Sequence, residues 1–128
     1  MSKGPGRKTK HHRRPRSLGG RSDDGNISIV TRREHEAWHC LFSNLPAPEI
    51  LGKLKTFYNL FSEFSDAGEK IKLPWCVTEQ WKAWTILFGN MLLEDIVNII
   101  NVVWIDPDYK LVITSELTKK VSITRRRR

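Results

Sequence analysis

The chemistry open to this chain is set by its histidines. His11 and His12 are adjacent, Asn26 follows after 13 intervening residues, His35 after eight more and His39 after another three. Those are all four histidines of a 128-residue chain, gathered in its first third. Neutral imidazole binds divalent transition metals, and because it titrates near neutrality it is also suited to general acid–base work. Adjacent histidines followed by a pair spaced four apart outline a metal site.

These side chains need elements to position them. A short strand is expected to carry His11 to Arg14, with Pro15 ending its regular pairing because it has no N–H to donate. Ser17 to Asn26 reads as a loop, in which Gly19-Gly20 supports an unusual backbone turn and Asp24-Gly25-Asn26 a second, tight one. Ile27-Ser28-Ile29-Val30 is a short apolar strand. Thr31 stands three residues before Glu34, the capping-box arrangement in which the Thr hydroxyl takes the Glu34 N–H and the carboxylate reaches back. On the helix that starts there, His35 and His39 share one face with Arg32 beside them, while Ala37, Trp38 and Leu41 point to a core.

His-His, Pro15, Ser17, Gly19-Gly20, Asn26 and a helix bearing His-x3-His together resemble the HNH endonucleases, the ββα-metal finger nucleases. The matched residues fall within positions 11–39; from about Cys40 onward no family is suggested. The resemblance implies that His11, His35 and His39 hold one divalent ion, and that His12, on the opposite side of the strand from His11, is the general base. It makes Asn26 a brace whose amide bridges backbone across the loop and holds His12 in place. Gly19 and Gly20 would let the backbone approach nucleic acid, and Arg13, Arg14, Arg16, Arg21 and Arg32 are candidate phosphate contacts. Three imidazoles favour zinc, nickel or manganese over magnesium, which prefers oxygen ligands; many family members have Asp in place of His11. Arg13-Arg14 stands where the family commonly has an apolar residue.

Charge is divided sharply along the chain. Residues 1–33 carry a net +8, residues 34–124 a net −4, and Arg125 to Arg128 add +4. Basic ends around the histidine segment suit a nucleic-acid contact surface, although a terminal arginine run also suits a solvated tail. No apolar run could cross a bilayer and no secretory signal is visible, so a cytoplasmic location is expected, with no membrane partner and no small-molecule cofactor. Cys40 and Cys76 form no C-x2-C pair and are expected to be buried apolar residues rather than a disulfide or zinc knuckle.

The expected fold is α+β: a basic arm over residues 1–9, a finger module over 10–44, a mainly helical remainder over 45–124 and a basic tail over 125–128. Beyond Pro46 and Pro48, the residues Ile50, Leu51, Leu54, Phe57, Tyr58 and Phe61 recur at helical spacing. Ser65 to Leu73 reads as a linker. Thr78 is expected to cap a third helix burying Trp81, Trp84, Leu87 and Phe88, and Ile96, Ile99, Ile100 and Val103 mark a fourth. Asp106-Pro107-Asp108 stops it, and a late strand is expected over Tyr109 to Ile113. The tryptophans read as core residues rather than base-stacking platforms. Ala37-Trp38, Leu41-Phe42, Asn44 and Ile50 reappear 46 residues later as Ala83-Trp84, Leu87-Phe88, Asn90 and Ile96, by duplication or by coincidence.

The function expected from the resemblance is metal-dependent cleavage of phosphodiester bonds in nucleic acid, DNA first. One site per chain nicks one strand; opposite-strand cuts need a homodimer or successive attacks. A non-catalytic nucleic-acid-binding module on the same scaffold is the main rival. His35-Glu36-Ala37-Trp38-His39 also spells the H-E-x-x-H of zinc proteases, with Glu36 as base, but that reading leaves His11, His12 and Asn26 without a role.

Overall fold

The computed structural model describes residues 7–67, 75–89, 91–115, 117–118 and 120–126. Its element order is β1 (Lys8–His12), a 3₁₀ turn (Arg16–Leu18), β2 (Ile27–Thr31), α1 (Arg32–Phe42), α2 (Ala47–Ala67), α3 (Trp75–Leu87), α4 (Leu93–Ile99), a π-helical turn (Ile100–Trp104), β3 (Tyr109–Ser115) and β4 (Lys120–Arg125). Four α-helices and two small antiparallel hairpins make an α+β fold. No described helix is long and apolar enough to cross a membrane.

β1 and β2 pair from Lys8↔Thr31 to His12↔Ile27. The strand therefore begins inside the expected basic arm and stops before Arg13. There the Arg13 N–H still bonds Asn26 O at 2.8 Å, but the next N–H goes to the Asn26 side chain at 2.7 Å, so pairing ends one residue past the histidines. Residues 1–6 of the arm lie outside the described residues. Thr31 caps α1 with both halves of the capping box in place. Ala37, Trp38, Leu41 and Phe42 are the buried stripe of that helix.

The remainder is not only helical, because β3 and β4 close the chain as a hairpin. Asn101 pins it: its amide donates to Leu111 O at 2.9 Å and accepts Leu111 N at 2.7 Å. Three other expectations need correction. Ser65 to Ala67 belong to α2, and the rest of the supposed linker lies outside the described residues. The third helix begins at Trp75, so Thr78 is in its first turn rather than at its cap. Cys40 is exposed, because it follows His39 on the outer side of α1, away from the Trp38 stripe; the Cys76 side chain lies outside the described residues.

The 46-residue echo is present in the backbone as well as in the sequence. Ser43 and Gly89, one period apart, both have positive φ, 51° and 53°. α2 and α4 then start one period apart, at Ala47 and Leu93. The turn bonds correspond too: Leu45 N to Phe42 O matches Met91 N to Phe88 O, and Ile50 N to Pro46 O matches Ile96 N to Leu92 O. Both copies bury equivalent side chains, Trp38, Phe42, Ile50 and Leu54 answering to Trp84, Phe88, Ile96 and Ile100. α1–α2 and α3–α4 are thus two helix–turn–helix units sharing one core.

The β1–β2 segment is fastened to that core through carbonyls. A π-turn shifts the helical hydrogen-bond ladder, and a helix C-terminus leaves carbonyls without helical partners. Side chains on and just after β1 and β2 take them up: Ser28 Oγ donates to Val103 O at 2.7 Å, His11 Nε2 to Trp104 O at 2.9 Å, and Arg13 to Ile105 O at 2.9 Å and Asn101 O at 2.5 Å. Trp104 stacks on Trp38 at 4.8 Å beneath the same contact.

Candidate metal centre and cleft

Alternation along β1 turns Thr9 and His11 toward α1, and the four-residue spacing of His35 and His39 turns both rings back toward them. The result is a cluster of His11, His35 and His39 in which one nitrogen from each ring lies within 4.8 Å of the others. Ring centroids are 5.3 Å apart for His11 and His35, 5.7 Å for His11 and His39, and 4.7 Å for His35 and His39.

Each ring is held through its other nitrogen. His11 Nε2–H donates to Trp104 O; His35 Nδ1 lies 3.0 Å from Thr9 Oγ1; His39 Nδ1–H donates to Ser43 O at 3.0 Å. Thr9 Oγ1 also donates to Val30 O at 3.3 Å, so it accepts from His35. These bonds fix the tautomers and leave Nδ1 of His11 and Nε2 of His35 and His39 with free lone pairs.

His11 is 2% exposed, and its Nδ1 is buried without a hydrogen-bond partner. An unsatisfied buried acceptor costs about 1–3 kcal/mol, which an ion at the cluster would relieve. Burial, offset in part by the Trp104 carbonyl and reinforced by His35, His39 and Arg13, pushes the His11 pKa down to about 4. Burial and then His39 push His35 down as well. Lowered pKa values keep these imidazoles neutral, the form that binds metal. The donor set therefore fits a divalent ion of the borderline class.

Beside the cluster opens a cleft of about 280 Å³ lined by Lys10, His12, Pro15, Arg16, Ser17, His35, His39 and Asn44. Among the described residues, no carboxylate lines it. One nitrogen of His12, Nε2, is 3.0 Å from Ser22 Oγ. Asn26 is 6% exposed and ties the loop: its amide donates to Arg14 O at 3.0 Å and Arg21 O at 2.7 Å, and its Oδ1 accepts Arg14 N. Its brace acts on the residues just past His12, while Ser22 is the side chain that touches His12.

The glycines are structural here. Gly19 has φ +86° at the end of the 3₁₀ turn. A Cβ on Gly20 would lie 1.7 Å from Arg14 O, so the loop can fold back on Arg14 and Pro15 only with glycine there.

The five arginines divide. Arg16 lines the cleft. Arg13 is turned inward onto the Ile105 and Asn101 carbonyls, and this replaces the apolar contact expected at that position. Arg14 donates to Leu18 O at 2.8 Å and lies 3.8 Å from Asp106. Arg21 lines a separate surface hollow with Gly19, Gly20 and Asn26. Arg32 pairs with Glu36 at 3.1 Å on the exposed side of α1.

Sequence reasoning missed Lys10, Thr9 and Ser22. Strand alternation alone could have found Thr9 and Lys10, since each lies two residues before a histidine and shares its face; Ser22 in an irregular loop carries no such signal. Comparison with protein families, curated proteins and solved structures finds no match in any of the three.

Proposed function

We propose that this chain is a metal-dependent endonuclease of the HNH type, cleaving phosphodiester bonds in nucleic acid, with DNA the substrate to test first. The observation that carries the reading is the buried, unpartnered Nδ1 of His11 within the three-histidine cluster, next to a cationic cleft that contains His12. Held by His11, His35 and His39, a divalent ion would supply Lewis-acid stabilisation of charge on the phosphate and the leaving oxygen.

The chain's own residues do the rest. Ser22 holds one ring nitrogen of His12, leaving the other to take a proton from the attacking water. As the water oxygen bonds phosphorus, the bond to the leaving sugar oxygen breaks and that oxygen takes a proton from solvent. Lys10 and Arg16 on the cleft walls hold the phosphate. Glu36 is engaged by Arg32 outside the cleft, which favours the nuclease over the protease reading.

Supercoiled plasmid incubated with Mg, Mn, Ni or Zn separately, and with EDTA, tests this. Nicking that requires one of the metals is expected; salt-sensitive binding without cleavage under every metal would leave a non-catalytic binding module.

A further inference from the structure

Arg125 and Arg126, which open the C-terminal arginine run, are tied into the fold. Arg125 ends β4, and Arg126 N–H donates to Asp108 O at 2.6 Å, so the pairing of the β3–β4 hairpin extends through both residues. Arg127 and Arg128 lie outside the described residues. The Arg125 guanidinium sits over the Tyr109 ring, 5.9 Å from its centroid, an arrangement that orients it without neutralising it.

Arg125 borders a second groove, of about 200 Å³, with Arg13, Arg14, Pro15, Leu18 and Tyr109. Pro15 also lines the histidine cleft, so the two depressions meet across one residue. Asp106 and Asp108 lie in the groove, but Asp106 is occupied within the fold: one oxygen accepts Asp108 N–H at 2.9 Å and the other faces Arg14. Arg126 is close enough to Arg13 to help burial hold that guanidinium's pKa below its ordinary value. Like charges held together in this way leave a local excess that an anion relieves.

We propose that the nucleic-acid strand seated at the histidine cleft continues over Pro15 into this second groove, where Arg125 and Arg126 contact its phosphates. The inference rests on the nucleic-acid reading above and extends it, since it gives the C-terminal arginines a defined part in the interface. The strand's path then runs from Lys10 and Arg16 to Arg125, joining the two ends of the sequence that carry the positive charge.

The test is duplex binding in EDTA, where no cleavage intervenes, across a salt series with wild type, Arg125→Ala/Arg126→Ala and Arg125→Lys/Arg126→Lys, together with phosphate-ethylation interference. Each phosphate contact contributes about 0.9 to the slope of log affinity against log salt. The alanine pair should lower that slope by about 1–2 and weaken binding about tenfold at moderate salt, and should erase interference at one or two phosphates; the lysine pair should retain most of both. Zinc titration, which reads the finger's integrity, should be the same in all three proteins. An unchanged slope and interference pattern in the alanine pair would overturn the proposal. A lowered slope in a protein that cuts under no metal would uphold it and defeat the nuclease reading; absence of salt-dependent binding would defeat both.

Discussion

Acid should destabilise the metal-free protein in a window set by His11. In the folded chain its pKa is held down to about 4 by burial, against 6.5 for the ordinary group. Below the ordinary value the unfolded chain binds a proton that the folded chain refuses, so stability falls as pH is lowered. Its contribution is intact above about pH 6.5 and lost progressively toward pH 4. The difference between 6.5 and about 4 corresponds to about 3 kcal/mol in full, of which about 2 kcal/mol has gone between about pH 7 and pH 5. His35, also lowered, adds in the same direction. Urea denaturation in EDTA across that range measures the slope, with His11→Leu as the comparison. The variant should lose most of the pH dependence in the window, because it has no proton to gain. A wild-type stability that is flat from about pH 7 to pH 5, or an undiminished slope in His11→Leu, would refute the reasoning that a neutral His11 is built into the fold.

Thr9→Val removes the acceptor of His35 Nδ1–H at nearly constant volume, and should weaken metal binding about tenfold or more with little change in unfolding midpoint; competition with a chromogenic chelator reads it. Gly20→Ala places a methyl where Arg14 O now lies, and should cost about 3 kcal/mol by urea denaturation. Asn26→Ala breaks three hydrogen bonds to loop backbone and should cost about 3 kcal/mol by the same assay. Arg13→Met strands two carbonyls and should cost about 2 kcal/mol, whereas Arg16→Ala, at the cleft wall, should leave stability unchanged and weaken nucleic-acid binding in a fluorescence titration.

The parts of the site visible in sequence were those with local rules behind them. Thr31 and Glu34 announce a helix start because the capping box depends only on residues three apart, and that start fixes the faces of His35 and His39. Asn26 was placed as a brace by the family resemblance alone, and its amide does bridge the loop backbone at Arg14 and Arg21. Arg13 could not be placed, since its partners at Asn101 and Ile105 arise from a π-turn that leaves no periodic mark in the sequence. The same turn supplies the Trp104 carbonyl that sets the His11 tautomer, so the candidate metal centre depends on a helix end more than 90 residues away. Cys40 was misjudged from residue type alone, although its helical phase beside His39 already put it outside the Trp38 stripe. The echo was legible as residue identities, and its meaning came from the matching positive-φ residues Ser43 and Gly89.

The account is tested most directly by His12→Ala loaded with one equivalent of the metal that supports wild-type nicking. With His11, His35 and His39 intact, the variant should bind that metal and plasmid as wild type does and cut about a hundredfold or more slowly. Cleavage at the wild-type rate by the metal-loaded variant would contradict the assignment of His12 as the base, and failure of wild type to bind any divalent ion at the three histidines would contradict the site itself.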